Sequence, residues 1–223
     1  MNRTNSPIRR TLEQLEAREN PSVTWAGESF EGLAAPKLPA DWATWSNDGE
    51  PQFITSKLAA VSGTNSLASL GSASNSSRFW NRATYPGDYG AALSLRAGPA
   101  IRMDVLARGS QLDSTHPSYL AAEFSGTRSL ELLEVRDGVE RSLGRVNSVD
   151  SVNGKWLRIA LKPVGEWAGV SVQRIDTGAY LKSDGTWQAA EVEAIRVKTT
   201  LPSGEGAIGL GRRAGASDRK SVV

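Results

Sequence analysis

Apolar and polar positions alternate with a period of two along much of the chain, as in strands with one face in a core and one in water. Ile101-Arg102-Met103-Asp104-Val105 is the cleanest such run, and it continues to Arg108. Leu130-Glu131-Leu132 keeps the rhythm as far as Val135, Asp137-Gly138 supplies a tight turn, and Val139 to Val146 returns as the second arm of a hairpin. Trp156 to Leu161 and Val170 to Ile175 alternate again, Asp184-Gly185 marks a second turn, and Ala207 to Leu210 reads as a last core strand. Ser66 to Leu70 is a short strand between loops rich in Ser, Gly and Asn. About a dozen strand candidates recur at the spacing expected of a sandwich. After residue 20 only Ala189 to Lys198 is ambiguous, since Val192, Ala194 and Ile195 fit a strand or a helix.

Composition narrows the chemistry. With 223 residues the chain is long enough for one large β domain, and no apolar stretch approaches the ~20 residues of a membrane span. It has no cysteine and a single histidine, which excludes disulfides, thiolate metal sites, cysteine nucleophiles and multi-histidine centres. The formal net charge of +2 comes from the ends, residues 1–20 and 218–223 contributing +1 each, so the remainder is neutral. A nucleic-acid binder needs a basic face to neutralise phosphates, and nothing here supplies one.

The N-terminal segment carries Arg9-Arg10 followed by Leu12, but the apolar stretch and small-residue cleavage site of a twin-arginine export signal are missing. Thr11 to Arg18 is instead a short helix former, with Thr11 as N-cap and Gln14 at the capping-box position. Leu12 and Leu15 give it only a narrow apolar stripe, so a largely disordered leader over 1–27 is the alternative. Residues 9–18 resemble the R-x-L-E-x-L-E-x-R leader of large exported proteins of planctomycete-type bacteria, which implies an extracellular or cell-surface location.

The body resembles the concanavalin A-like lectin/glucanase jelly roll, a laminin-G-like sandwich. The resemblance rests on Phe30-Glu31-Gly32, Leu38 to Trp42, Ser62 to Leu67, the Leu132–Leu143 hairpin, Gly154 to Ile159 and Gly206 to Gly211. More narrowly, Arg108-Gly109, Pro117-Ser118-Tyr119, Arg174 to Leu181 and Gly185 to Gln188 resemble a module of larger planctomycete-type secreted proteins. The expected fold is an all-β, antiparallel two-sheet jelly-roll sandwich over residues 28–217. Members of this fold usually end in a further strand, absent here, so the domain is expected to be truncated and part of a larger multidomain chain. Asp218 to Val223 is expected to be a non-native tail, because its codons can spell a common sequencing adapter.

Retaining glucanases of this fold carry two carboxylates on one strand face. Glu131 and Glu134 are three residues apart and fall on opposite faces, so they cannot work as a pair and read as solvated strand positions. His116 precedes Pro117 in a turn, and no Gly-x-Ser-x-Gly elbow accompanies it. Arg108 and Arg174 lie in β runs and are expected to brace the sheet through carbonyls or carboxylates. Seven tryptophans outnumber the four phenylalanines and four tyrosines. Trp42, Trp80, Tyr180 and Trp187 are the candidates for an aromatic contact with a sugar ring, against core or edge packing for each. Asp176 and Asp184 are the candidates for calcium, against two local turns. No catalytic residue stands out. The expected role is a non-catalytic extracellular binding or accessory module, with carbohydrate as ligand, no nucleic acid and no membrane span. A glycoside hydrolase of the same superfamily and a structural spacer are the alternatives.

Overall fold

The computed structural model describes residues 30–214, apart from 32, 51, 58–59, 61–62, 70–74 and 100. The N-terminal leader and the tail over 218–223 lie outside these residues. The described residues form strands and loops in the order β1 (Trp42–Ser46), β2 (Phe53–Ser56), β3 (Ser66–Ser69), β4 (Ser77–Asn81), β5 (Ala91–Arg96), β6 (Arg102–Ser110), β7 (Ser118–Ser125) and β8 (Ser129–Arg136). There follow β9 (Val139–Asn147), β10 (Trp156–Val164), β11 (Trp167–Arg174), β12 (Tyr180–Leu181), β13 (Trp187–Gln188), β14 (Ile195–Lys198) and β15 (Ala207–Arg212).

All strand pairs are antiparallel. One sheet has seven strands in the order β1-β4-β15-β6-β7-β8-β9. The second has six, ordered β13-β12-β11-β10-β5, with β14 also paired to β11, and β2-β3 form a small third sheet. The two large sheets stack as a jelly-roll sandwich. Val105, Leu120, Phe124, Leu130 and Leu132 from one meet Leu157, Ile159, Leu161, Val170 and Val172 from the other. Each fully buried side chain of this size contributes roughly 1.5–3 kcal/mol relative to exposure. A second cluster joins Phe53 of β2 to Phe79 of β4 and Leu210 of β15.

The alternating runs become β6, β8, β10 and β11, and Asp137-Gly138 closes the β8–β9 hairpin with both residues at positive φ (50° and 80°), the geometry of a type I′ turn. The ambiguous Ala189–Lys198 segment is strand only from Ile195. β7 gave no periodic signal because its outward positions Tyr119 and Ala121 are apolar like its inward ones: Leu120, Ala122 and Phe124 face the core between the sheets, while Tyr119 and Ala121 pack on the other side with Leu106, Leu112 and Leu133. β15 lies between β4 and β6 and is paired on both sides; among the described residues the free edges of the two large sheets belong to β1, β9, β5, β13 and β14. Also among these residues, no helix is long and apolar enough to cross a membrane.

Candidate ligand-binding face

The seven-stranded sheet has an inner face on the sandwich core and an outer face turned away from it. On the outer face, register places one residue of each strand in a continuous row. Trp45 lies opposite Arg78, Arg78 opposite Gly211, Gly211 opposite Asp104, Asp104 opposite Glu123, Glu123 opposite Glu131 and Glu131 opposite Arg145. Directly paired residues project to the same side with Cβ atoms ~5 Å apart, so this row is a polar stripe crossing all seven strands. A parallel row beside it reads Trp80, Gly209, Leu106, Ala121 and Leu133 and is mostly apolar.

The carboxylates of the stripe are not solvated. Asp104 is 0% exposed and Glu123 is 3% exposed. This corrects the expectation of wet strand faces for Glu131 and Glu134, both of which are buried. Burial is sustained by guanidiniums, which offset the cost of removing charge from water. Arg213, just beyond β15, reaches Asp104 at 3.3 Å, Glu140 at 2.6 Å and Glu123 more closely still. Arg102 donates to Glu123 at 2.8 Å and Arg145 to Glu131 at 2.6 Å. Burial pulls the Arg213 pKa down, but Asp104, Glu123 and Glu140 outweigh it and raise the value. Burial dominates at Asp104, pushing its carboxyl up to about 7 against the opposing pull of Arg213. For Glu131 burial is outweighed by hydrogen bonds from Ser142 and Arg145, which leave its pKa below the ordinary value.

At the other end of the stripe the Arg78 guanidinium lies 3.8 Å from the centroid of the Trp45 ring and donates to the Ser114 carbonyl at 2.5 Å. Ser114 belongs to the 111–116 turn, whose Leu112 packs against the apolar row. His116 is exposed in that turn, its Nδ1 3.0 Å from the Thr115 hydroxyl.

The sequence candidates are dispersed. Trp42 turns inward and stacks on Phe79 with ring centroids 4.5 Å apart. Trp80 is on the outer face, partly exposed, beside the stripe. Trp187 lies opposite the fully buried Leu181, packs against the inter-sheet core and donates its indole N–H to Ser148 at 2.9 Å. Tyr180, adjacent to Leu181, therefore projects to the other side of the six-stranded sheet. Asp176 is hydrogen-bonded by Arg174 and salt-bridged to Lys155, which lower its pKa. Asp184 is held by Lys182 and Thr186, again with a lowered pKa. Among the described residues no group of three or more His, Cys, Asp or Glu side chains is arranged to hold a metal ion. Glu131 and Glu134 do point to opposite faces, Glu134 turning inward to Thr199 and Thr200. Arg108 donates to the carbonyls of Gly87 and Gly165, and Arg174 to the carboxylate of Asp176. The stripe itself escaped sequence reading; its only signal was the acidic residue at the polar position of the alternating β6 and β8 runs.

No family model and no curated protein matches the chain. Among solved structures it is similar to a β-glucanase of Bacillus licheniformis, at 14% identity over 86% of this chain and 85% of that one, with a TM-score of 0.47. A native glycosidic hydrolase is similar at 11% identity, covering 81% and 80% of the two chains, with a TM-score of 0.46. Peanut lectin gives 11% identity, 78% and 90% coverage, and a TM-score of 0.41.

Proposed function

We propose that this domain binds carbohydrate without cleaving it, on the outer face of the seven-stranded sheet, as an accessory module of an exported or cell-surface protein. The carrying observation is the combination on one face of two partly exposed indoles, Trp45 and Trp80, with Arg102 and Arg145, the guanidiniums of the charged cluster that reach solvent. Sugar rings present apolar C–H faces to aromatics and hydroxyls to fixed polar groups, so such a surface suits them. A binding role is favoured over hydrolysis because the carboxylates are already engaged: Glu123 accepts from both Arg102 and Arg213, and Glu131 from Arg145. A glycosidase acid must instead reach the glycosidic oxygen. Export and the larger parent chain rest on the leader resemblance.

Hydrolysis is the second reading, favoured by one observation: Asp104, its carboxyl pushed up to about 7 by burial, sits directly opposite the second acidic side chain, Glu123. A glycan array, followed by product analysis on every glycan bound, tests both. Binding with no reducing ends released supports the module; release that is lost in Asp104→Asn supports the enzyme; binding to no glycan removes both.

A further inference from the structure

Strand β9 is a nine-residue edge of the seven-stranded sheet, paired with β8 alone among the described residues. Most of it is exposed, and Val139, at 71%, is the most exposed large hydrophobic residue described. The unused backbone donors and acceptors of such an edge are a template for another strand. The two-residue turn at Asp137-Gly138 makes Arg136 and Val139 the first hydrogen-bonded pair of the β8–β9 ladder, and bonded pairs alternate from there. Glu140 and Ser142 therefore aim their N–H and C=O groups away from β8. Arg145 does the same, because Leu143 bulges out of the ladder: Ser142 pairs with Leu133, and Gly144 with Leu132. The bulge also decides the faces. In a regular strand Glu140 and Arg145, five residues apart, lie on opposite sides. Here both lie on the outer face, Glu140 against Arg213 and Arg145 against Glu131. Their side chains stay 48% and 58% exposed, so each can take a second partner.

We propose that β9 pairs antiparallel with β9 of a second copy of this chain, about a two-fold axis passing between Ser142 and Leu143. This register sets Glu140 of each copy opposite Arg145 of the other on the outer face, and all four residues carry outward-aimed backbone groups. On the inner face it sets the exposed Val139 opposite Val146, while Arg141 falls opposite Gly144, which has no side chain to obstruct it. One strand thus supplies two opposite-charge pairs and two valine pairs, the self-complementarity that an isologous contact requires. Sliding the copies by two residues sets Glu140 against Asn147 and Arg141 against Val146, and both kinds of pair are lost. Charges and a bulge on an edge ordinarily discourage pairing. On β9 they oppose other strands but match a second β9, because the bulge is what brings Glu140 and Arg145 onto one face. The two-fold axis runs perpendicular to the sheet, so the outer faces of the two copies look the same way.

Sedimentation velocity on the full chain from about 1 to 500 µM tests the contact, since an edge of this extent gives a weak, concentration-dependent dimer. The unmodified protein is expected to dimerise across that range, and a monomer at every concentration overturns the proposal. Glu140→Arg and Arg145→Glu, each checked to keep the parent's circular dichroism, are expected to weaken dimerisation about tenfold or more by setting like charges face to face. The double variant, which swaps the two charges, is expected to recover most of the loss. Single variants that associate as well as the parent, or a double variant no better than the singles, overturn the pairing. Hydrogen exchange on the unmodified protein gives a readout that needs no variant: the amides of Glu140 and Arg145 are expected to gain protection as concentration rises. Association that leaves those amides unprotected lies elsewhere on the surface and overturns the proposal.

Discussion

Thr200 grips Glu134 twice, through its backbone N–H at 2.7 Å and its hydroxyl at 2.5 Å, while Thr199 adds a third hydrogen bond at 2.7 Å. Glu134 belongs to β8 of the seven-stranded sheet, and the two threonines follow β14 of the other, so this contact clamps the sandwich layers together. Burial alone would raise the Glu134 pKa, but the hydrogen bonds from Thr200 and Thr199 outweigh it and hold the value at about 2.

The clamp should therefore be acid-sensitive. A carboxyl with a folded pKa below its unfolded value of ~4.3 contributes stability above that pH and loses it as pH falls towards 2. Glu134→Gln is expected to cost about 1–3 kcal/mol at pH 7, the range for hydrogen bonds to a charged group, and much less near pH 2. Denaturant unfolding at pH 7, 5 and 3 checks this; a cost independent of pH would show that the charge is not what holds the layers.

Asp104 should act in the opposite sense. With a folded pKa of about 7 it keeps a proton that the unfolded chain gives up near ~3.9, so stability falls as pH rises from 4 to 7 and is level above. Asp104→Asn, which is neutral throughout, should remove this slope and gain at least about 1 kcal/mol on the parent at pH 8 relative to pH 4. Parallel slopes for the two proteins would refute the assignment.

Arg213→Met is expected to cost about 3–5 kcal/mol at pH 7, because it leaves Asp104 and Glu123 buried with reduced compensation. The loss should shrink at pH 4.5, where Asp104 carries its proton and needs no counter-charge. Guanidinium unfolding curves at the two pH values give the comparison, and a cost under about 1 kcal/mol at both would mean the neighbouring arginines suffice.

Trp80→Ala is expected to weaken binding of whichever glycan the array identifies about tenfold, or ~1.4 kcal/mol. Trp167→Ala provides the control, since Trp167 is exposed and belongs to β11 of the opposite sheet. Equal losses in both variants would move the binding surface elsewhere.

The layers were legible because β6, β8, β10 and β11 carry polar residues at some of their outward positions (Asp104, Glu131, Arg158, Ser171), so the alternation survives in the local sequence even where both faces are buried. Arg108 and Arg174 were legible for the same reason, as charges within otherwise regular β runs. The outer-face stripe was not, because its members come from seven strands and meet only through register: Arg78 and Gly211 are neighbours in space but lie near opposite ends of the body. Shifts in the β15–β6 and β8–β9 ladders, which no short motif announces, decide which residues line up. Trp42 illustrates the same limit. A three-residue spacing separates its face from that of Trp45, but only the packed Phe79 reveals which of the two is interior.

Arg108 adopts a left-handed backbone (φ 54°) where β6 departs from regular pairing with β7, and from there its guanidinium seizes Gly87 at 2.8 Å and Gly165 at 2.6 Å. Asp88 completes the knot by accepting from the Gly165 amide at 2.9 Å. Three stretches of chain remote in sequence thus share one anchor, and lengthening or shortening any of them would be felt by the other two. Natural variation in loop length at this end should consequently occur in concert, with 87–88 and 165–166 keeping their geometry wherever the arginine is retained.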